Sequence, residues 1–192
     1  MKCEHCKQPA IVHITEAREN AATGEHHLCE ECARTYMDEQ EADPIDDRRP
    51  AGPHNEDGEF RLDVVRLVIS EVADTQVVVF REVGGRRCFE LVIGIFEATT
   101  IDRKLKRIPT PRPLTHDAWM ASLAAVGVEL RAVGIDALRD HTYFASLRLG
   151  QKGSSGRPVK VDLRPSDAVA LALLAGVPIF IPGELLTELT AA

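Results

Sequence analysis

Four of the five cysteines in this chain form two CxxC pairs near its start, and no other feature constrains the fold as strongly. The pairs are Cys3/Cys6 and Cys29/Cys32, with 22 residues between them. Two residues between sulfurs allow a short turn to aim both thiolates at one ion, and two such turns complete a tetrahedral site. The pattern therefore predicts a structural zinc ion bound by these four cysteines.

Other uses of paired cysteines fit less well. A disulfide-linked secreted module competes with zinc, but no apolar signal segment precedes Cys3, and we expect a cytoplasmic protein. A thioredoxin-like redox site needs one CxxC pair inside a βαβ unit. A histidine could also replace one cysteine as ligand, although four well-spaced cysteines make this unnecessary; the candidates are His5, His13, His26 and His27. A segment as short as residues 1–38 buries too little to fold alone, so the metal would supply folding free energy.

Charge divides the chain into an acidic front and a nearly neutral remainder. Residues 1–59 carry 6 Lys/Arg against 15 Asp/Glu, whereas residues 60–192 carry 17 against 15. Residues 39–60 are rich in Asp, Glu, Pro and Gly and predict an acidic flexible linker. A neutral main domain leaves nucleic-acid binding open, whereas the absence of an apolar run of roughly 18 residues argues against a membrane span.

The main domain, residues 61–192, alternates β-branched runs with amphipathic stretches. Strands paired mainly by hairpins, with helices between them, indicate a compact mixed α+β fold preceded by the small zinc module. In the front segment, Gly24 is the predicted turn between two short strands. Residues 95–107 predict a helix with Ala98, Ile101 and Leu105 on one face and basic residues on the other. Thr115 is the predicted N-cap of the next helix.

Polar side chains gather at the predicted starts of helices and suggest chemistry on phosphate. The candidate catalytic residues are Glu97, His116, Asp117, Asp162 and Asp167, and the candidate substrate-binding residues are Arg112, Arg164 and Ser166. The carboxylates could hold Mg²⁺ or Mn²⁺, His116 could move a proton, and the arginines could bind a phosphate. For each residue taken alone, a structural role is favoured over chemistry, either in capping a helix or in pairing with a neighbouring charge.

The stretches Gly94–Ala98, Pro111–Asp117 and Arg164–Ala172 resemble the bifunctional nuclease domain family in order and spacing. The resemblance extends over roughly residues 62–188. It implies a compact α+β domain that commonly self-associates and acts as a nuclease on DNA and RNA. The family usually has Pro where this chain has Ile95, which affects only the local start of the helix.

The front segment resembles a different group of proteins. Its Cys-Glu-His-Cys and Cys-Glu-Glu-Cys pairs are similar to the N-terminal zinc modules of the bacterial protein arginine kinase activator and of some Clp-type unfoldases. That resemblance implies a bacterial protein and a module that binds a protein partner without performing catalysis.

Two functions therefore follow. The first is a metal-dependent nuclease that hydrolyses phosphodiesters of DNA or RNA, carries a zinc module for partner binding and forms homo-oligomers. The second is a non-enzymatic adaptor, in which the zinc module recruits a protein and the main domain oligomerises or senses a ligand.

Overall fold

The structure is a computed structural model that describes residues 1–41, 55 and 57–191. In these residues the strands are β1 (Val12–Arg18), β2 (Ala21–Leu28), β3 (Glu59–Ser70), β4 (Gln76–Glu82), β5 (Cys88–Ile93), β6 (Val128–Arg139), β7 (Thr142–Gln151), β8 (Val159–Leu163) and β9 (Ile179–Pro182). The helices are α1 (Glu30–Glu41), α2 (Ile95–Leu105), α3 (Thr115–Ala125), α4 (Pro165–Ala175) and α5 (Gly183–Thr190). The predicted α+β fold class is confirmed. None of the described helices is long and apolar enough to cross a membrane.

Strands β1 and β2 form a hairpin between the two cysteine pairs, but its turn lies elsewhere than predicted. Glu19 and Asn20 make the turn with φ of 51° and 58°, whereas Gly24 lies within β2 opposite Glu16. Asn tolerates this left-handed conformation. The Asn20 side chain also accepts a hydrogen bond from the backbone N–H of Val64 on β3. A contact distant in sequence thus helps to fix the turn.

Strand β3 joins the cysteine hairpin to the rest of the sheet. Along one edge it pairs with β4. Along the other edge, its first residues pair with β9 and its last residues, Arg66–Ser70, pair with β1. The sheet order is β2-β1-β3-β9-β6-β7-β8, with β4 and β5 branching from β3. The hairpin is therefore a continuation of the main sheet.

The predicted linker, residues 39–60, falls mainly outside the described residues. Its first three residues belong to the end of α1, and Glu59 and Phe60 begin β3. Helix α1 follows directly on β2, and β2 is joined to β3 through β1. The elements before and after the predicted linker therefore belong to one continuous sheet and the helix attached to it.

Helices α2 and α4 cover one face of the sheet with their apolar sides. Ala98, Ile101 and Leu105 are buried, as the helical spacing predicts. The first residues of α4 lie beside the first residues of α2, and the C-terminal ends of the two helices line a common cavity. The helices therefore run side by side in the same direction. Helix α3 begins at Thr115 itself, one residue earlier than predicted, and Leu114 is its N-cap residue.

Candidate functional site

The four cysteines converge as predicted. Cys3 and Cys6 precede β1 in a turn closed by a hydrogen bond from the Cys3 N–H to the carbonyl of Gln8. Cys29 lies between β2 and α1, and Cys32 lies in the first turn of α1. All four sulfurs lie within 4.8 Å of one another.

The sulfur geometry suits a zinc ion. The Cys6 sulfur lies 3.5 Å from that of Cys29 and 3.7 Å from that of Cys32. A tetrahedral site with Zn–S bonds of about 2.3 Å places its sulfurs about 3.8 Å apart. The four cysteines could therefore hold zinc with small movements, and four protein ligands would leave no coordination position for a substrate.

The pKa values of the clustered thiols differ because the four sulfurs crowd one another. Burial of the Cys3 thiol opposes ionisation, but hydrogen bonds from the backbone of Cys29, Cys6 and His5 lower its pKa to about 6. The contact with Cys29, together with burial, raises the pKa of Cys32. Crowded thiolates repel one another, and a bound dication removes that repulsion.

The nearby histidines contact other partners. His13 Nδ1 lies 2.7 Å from His27 Nδ1, and His13 Nε2 lies 2.8 Å from a carboxylate oxygen of Glu71. His26 lies 3.4 Å from Glu4. In the described part of the chain, the cysteine cluster contains no histidine.

A second cluster forms where α2, α3 and α4 begin. Arg164, the N-cap residue of α4, donates from Nη2 to Glu97 on α2 at 2.8 Å. Its Nε donates to Asp167 on α4, also at 2.8 Å. His116, near the start of α3, lies with its Nε2 3.2 Å from the other carboxylate oxygen of Asp167. Four of the eight candidate residues therefore form one connected group, which we call the helix-start cluster.

This cluster is accessible to solvent. The side chain of Arg164 is 68% exposed, whereas that of His116 is 18% exposed. Hydrogen bonding to Asp167 raises the pKa of Arg164, which is therefore charged under all ordinary conditions. The Nε and Nη2 contacts of Arg164 use two of its five N–H groups, so three remain available for an anion.

The other four candidates form no hydrogen bond or ion pair with this group among the described residues. Asp117 accepts hydrogen bonds from Lys104 Nζ at 2.5 Å and from the backbone N–H of Leu114 at 3.0 Å. The bond from Lys104 lowers the pKa of Asp117. These contacts cap α3 and connect it to α2, so the geometry gives Asp117 a structural role.

Asp162, Arg112 and Ser166 make no side-chain contact with the helix-start cluster in the described residues. Asp162 lies on β8 opposite Ser146 and is exposed, whereas Val161 and Leu163 on either side of it pack against the core. Arg112 is exposed in the loop between α2 and α3, and Ser166 is buried in the first turn of α4.

Sequence reasoning did not single out Phe96, whose side chain is 83% exposed beside Glu97. The sequence nevertheless contained the spacing that predicts its exposure. With Ala98, Ile101 and Leu105 on the buried face of α2, the helical period places residue 96 on the opposite, solvent-facing side.

Comparison with known proteins identifies relatives of the main domain. A family model described as the bifunctional nuclease domain matches residues 78–192. An uncharacterised protein of Mycobacterium tuberculosis is 37% identical over 131 residues, which cover 68% of this chain and 75% of that protein.

Two plant proteins are similar over shorter stretches. Bifunctional nuclease 1 of Oryza sativa subsp. indica is 31% identical over 75 residues, covering 39% of this chain and 23% of that protein. Bifunctional nuclease 2 of Oryza sativa subsp. japonica is 26% identical over 112 residues, covering 58% of this chain and 34% of that protein. The region matched by the family model contains the whole helix-start cluster and none of the four clustered cysteines. The chain thus belongs to the bifunctional nuclease domain family.

Proposed function

We propose that the main domain hydrolyses phosphodiester bonds of DNA or RNA at the helix-start cluster. The observation that supports this proposal most directly is the connected set of His116, Asp167, Arg164 and Glu97, which lies inside the family-matched region. Attack of water on a phosphate is assisted by a proton acceptor for the water and by a cation with free N–H donors for the phosphate oxygens.

His116 is the proton acceptor in this proposal. If His116 Nε2–H donates to Asp167, then Nδ1 carries no proton and can take one from an attacking water. Asp167 orients the imidazole and stabilises it once it is protonated, in the same way that a carboxylate supports histidine in other hydrolytic sites.

Arg164 binds the phosphate. Its free N–H groups donate to the non-bridging oxygens, where charge increases as water adds to phosphorus. Glu97 and Asp167 hold the guanidinium from two sides, so its position is set before substrate arrives. As the phosphorus–oxygen bond to the leaving strand breaks, the leaving oxygen takes up a proton from protonated His116 or from solvent.

The catalytic Mg²⁺ or Mn²⁺ expected from the carboxylates fits this arrangement less well. The Arg164 guanidinium occupies one oxygen each of Glu97 and Asp167, so it stands between them where a shared ion would bind. Within the described residues, the cysteines are the one group of three or more His, Cys, Asp or Glu side chains whose ligand atoms are close enough together to hold a metal. We therefore assign no step to a divalent ion.

The zinc module is proposed to be structural, with an outer surface that serves a protein partner. The closed set of four sulfurs supports the first part, and the resemblance to partner-binding zinc modules supports the second. We also propose a cytoplasmic bacterial protein that self-associates; light scattering at several protein concentrations tests the last point.

A cleavage assay tests the proposed reaction. Purified protein is incubated with 5′-labelled single-stranded DNA and RNA in chelator-treated buffer, and again with added Mg²⁺ or Mn²⁺. We expect cleavage by the parent protein, and for His116→Ala a rate roughly 10²- to 10⁴-fold lower. His141→Asn, in an exposed hairpin turn, is the matched control and should cleave at the parent rate.

Two results contradict the proposal. If His116→Ala cleaves as fast as the parent, the catalytic assignment is wrong. If rigorously purified parent protein cleaves no substrate with or without metal, the enzyme proposal fails and the adaptor function replaces it.

A further inference from the structure

Two adjoining cavities lie around the C-terminal end of α2. One, of about 440 Å³, is lined by the β1–β2 turn, Arg61 on β3 and the ends of α2 and α4. The other, of about 650 Å³, lies between β2 and the end of α2. Arg107 and Ile108 line both cavities, so the two cavities meet at these residues. We call the pair of cavities the α2 groove.

Five basic side chains line the α2 groove, and they differ in how they are paired. Lys104 binds Asp117, and Lys106 binds both Glu25 and Asp102. The remaining three, Arg61, Arg103 and Arg107, make no ion pair within residues 1–41, 55 and 57–191.

The acidic side chains near these arginines are fewer. Glu19 lines the groove without an ion pair among the described residues, and Asp63 lies close enough to Arg61 for the arginine to lower its pKa. Burial nevertheless raises the pKa of Asp63 overall. Glu25 also lines the groove, where it binds Lys106. Among the described residues, three guanidinium groups thus face two carboxylates that bind no lysine, and their N–H donors are free for a further anion.

Some of this basic character has a structural explanation. Arg103 and Lys104 lie in the last turn of α2, where cations favour the negative end of the helix. That explanation does not extend to Arg61, which lies on β3, or to Arg107, which lies beyond the helix end.

The outer face of α2 connects the groove to the helix-start cluster. Phe96, Thr100 and Arg103 are spaced four and three residues apart within α2, so they follow one side of the helix, and Arg107 lies just beyond its end. This is the side opposite the buried residues of α2. Phe96 and Arg103 are separated by seven residues, or about 10 Å along the axis at 1.5 Å per residue. That span matches about three nucleotides of a stacked strand at 3.4 Å each.

We propose that this face of α2 binds a single strand of nucleic acid. The backbone phosphates lie on Arg61, Arg103 and Arg107, and an unpaired base stacks on Phe96 next to Glu97. Aromatic stacking with a base requires that the base be unpaired, which favours a single strand over a duplex. The inference rests on the proposed function only for the cleavage of the bound strand, and binding can be measured without cleavage.

Fluorescence anisotropy with a 5′-fluorescein-labelled strand of 20 thymidines, in buffer without added divalent metal, tests the proposal. The triple variant R61Q/R103Q/R107Q should bind on the order of 100-fold more weakly at low salt. The slope of log affinity against log salt should fall by roughly 0.7 for each lost phosphate contact, or about 2 for the triple variant. A control with the same change in net charge, R34Q/R139Q/R157Q, should bind like the parent.

Phe96→Ala separates stacking from charge. It should weaken binding by roughly 5- to 150-fold while leaving the salt slope unchanged, since a stacked base carries no phosphate contact. Thermal melting of every variant checks that a loss of binding is not a loss of fold.

The outcomes separate this inference from the proposed reaction. If the groove variants lose binding and the parent cleaves nothing, the inference stands and the nuclease proposal fails. If the parent cleaves and the groove variants bind like the control, the inference fails alone. It is also overturned if a duplex binds as tightly as the single strand, or if polyglutamate competes as well as unlabelled strand.

Discussion

The cysteine cluster and the helix-start cluster are both groups of four polar side chains, but they are assembled in different ways. The four sulfurs come from two local turns within the first 32 residues. The other four side chains come from three helices that begin between residues 95 and 165. A turn aims its own two ligands, whereas helices meet only where the sheet places them.

The two regions also differ in how they are stabilised. The buried residues around the cysteines are few: Cys3, Val12, Ile14, Leu28, Cys29 and Ala33, with Val68 of β3 packed against them. The main core is far larger and includes both α2 and α4. We therefore expect the cysteine region to depend on a bound metal and on β3, and the helix-start cluster to depend on the larger core beneath it.

The largest effect is expected from loss of a zinc ligand. Cys29→Ser should reduce bound zinc from one ion per chain to none, because structural zinc contributes on the order of 10 kcal/mol to small modules. Hydrogen exchange should accelerate through β1, β2 and α1, and also in Arg66–Ser70, which pair with β1. Elemental analysis and exchange mass spectrometry measure both changes.

Cys88→Ser, on β5 and exposed, is the matched control and should keep its zinc. If Cys29→Ser retains one zinc ion and parent exchange rates, the described cysteine site is not the metal site.

A smaller effect is expected within the helix-start cluster. Asp167→Asn should lower kcat by roughly 10²- to 10⁴-fold, because the amide no longer stabilises protonated His116. The cleavage assay on labelled single strands measures the change. Asp162→Asn, a carboxylate outside the cluster, should retain parent activity. Equal losses in both variants would show that the cluster is not the reacting group.

The main sheet contains a buried ion pair that connects β3 and β7. Arg148 on β7 donates to both carboxylate oxygens of Glu59 on β3, at 2.5 and 2.6 Å. Glu59→Gln removes the bidentate charge partner of a buried guanidinium and leaves it only Asp136, 3.9 Å away, so the change should cost about 3 kcal/mol of unfolding free energy.

Urea unfolding at neutral pH measures this loss. Lys160→Gln removes an exposed partner of Asp136 at 3.7 Å and should change stability by less than about 0.5 kcal/mol. If the two variants unfold at the same urea concentration, the ion pair between Glu59 and Arg148 does not stabilise the main sheet.

The smallest effect concerns the contact between α2 and α3. Lys104 lowers the pKa of Asp117 below its usual 3.8, so the charged pair stabilises the fold at neutral pH, and that contribution is lost as pH falls through the folded-state pKa. Asp117→Asn keeps the hydrogen bond from the Leu114 N–H and should cost about 1 kcal/mol at pH 7.

The difference between parent and Asp117→Asn should shrink as pH falls through the lowered folded-state pKa of Asp117, below which both side chains are neutral. Urea unfolding of the two proteins at pH 7, 5 and 3 measures this convergence. Acid releases metal from both proteins alike, so the difference between them reports the pair. If the difference in unfolding free energy stays the same from pH 7 to pH 3, the ion pair is not its cause.

Particular elements show what could be predicted. The apolar spacing of α2 placed Ala98, Ile101 and Leu105 on its buried face. The turn of the first hairpin could not be found in the same way, because Asn20 is fixed by a hydrogen bond to β3, more than 40 residues away. Likewise, the sequence offers Asp162 and Asp167 as equivalent candidate carboxylates. Only the structure shows that Asp167 contacts His116 and Arg164, whereas Asp162 is exposed on β8.

By itself, the sequence determined the four clustered cysteines, the α+β class and the set of ionisable residues available for a site. These follow from local spacing, since a turn or one helical period relates residues only a few positions apart. The tertiary structure decided that β1 joins the main sheet through β3, and which polar residues meet at the helix starts. Both depend on strand pairing and helix packing between distant segments, and local spacing carries no record of those contacts.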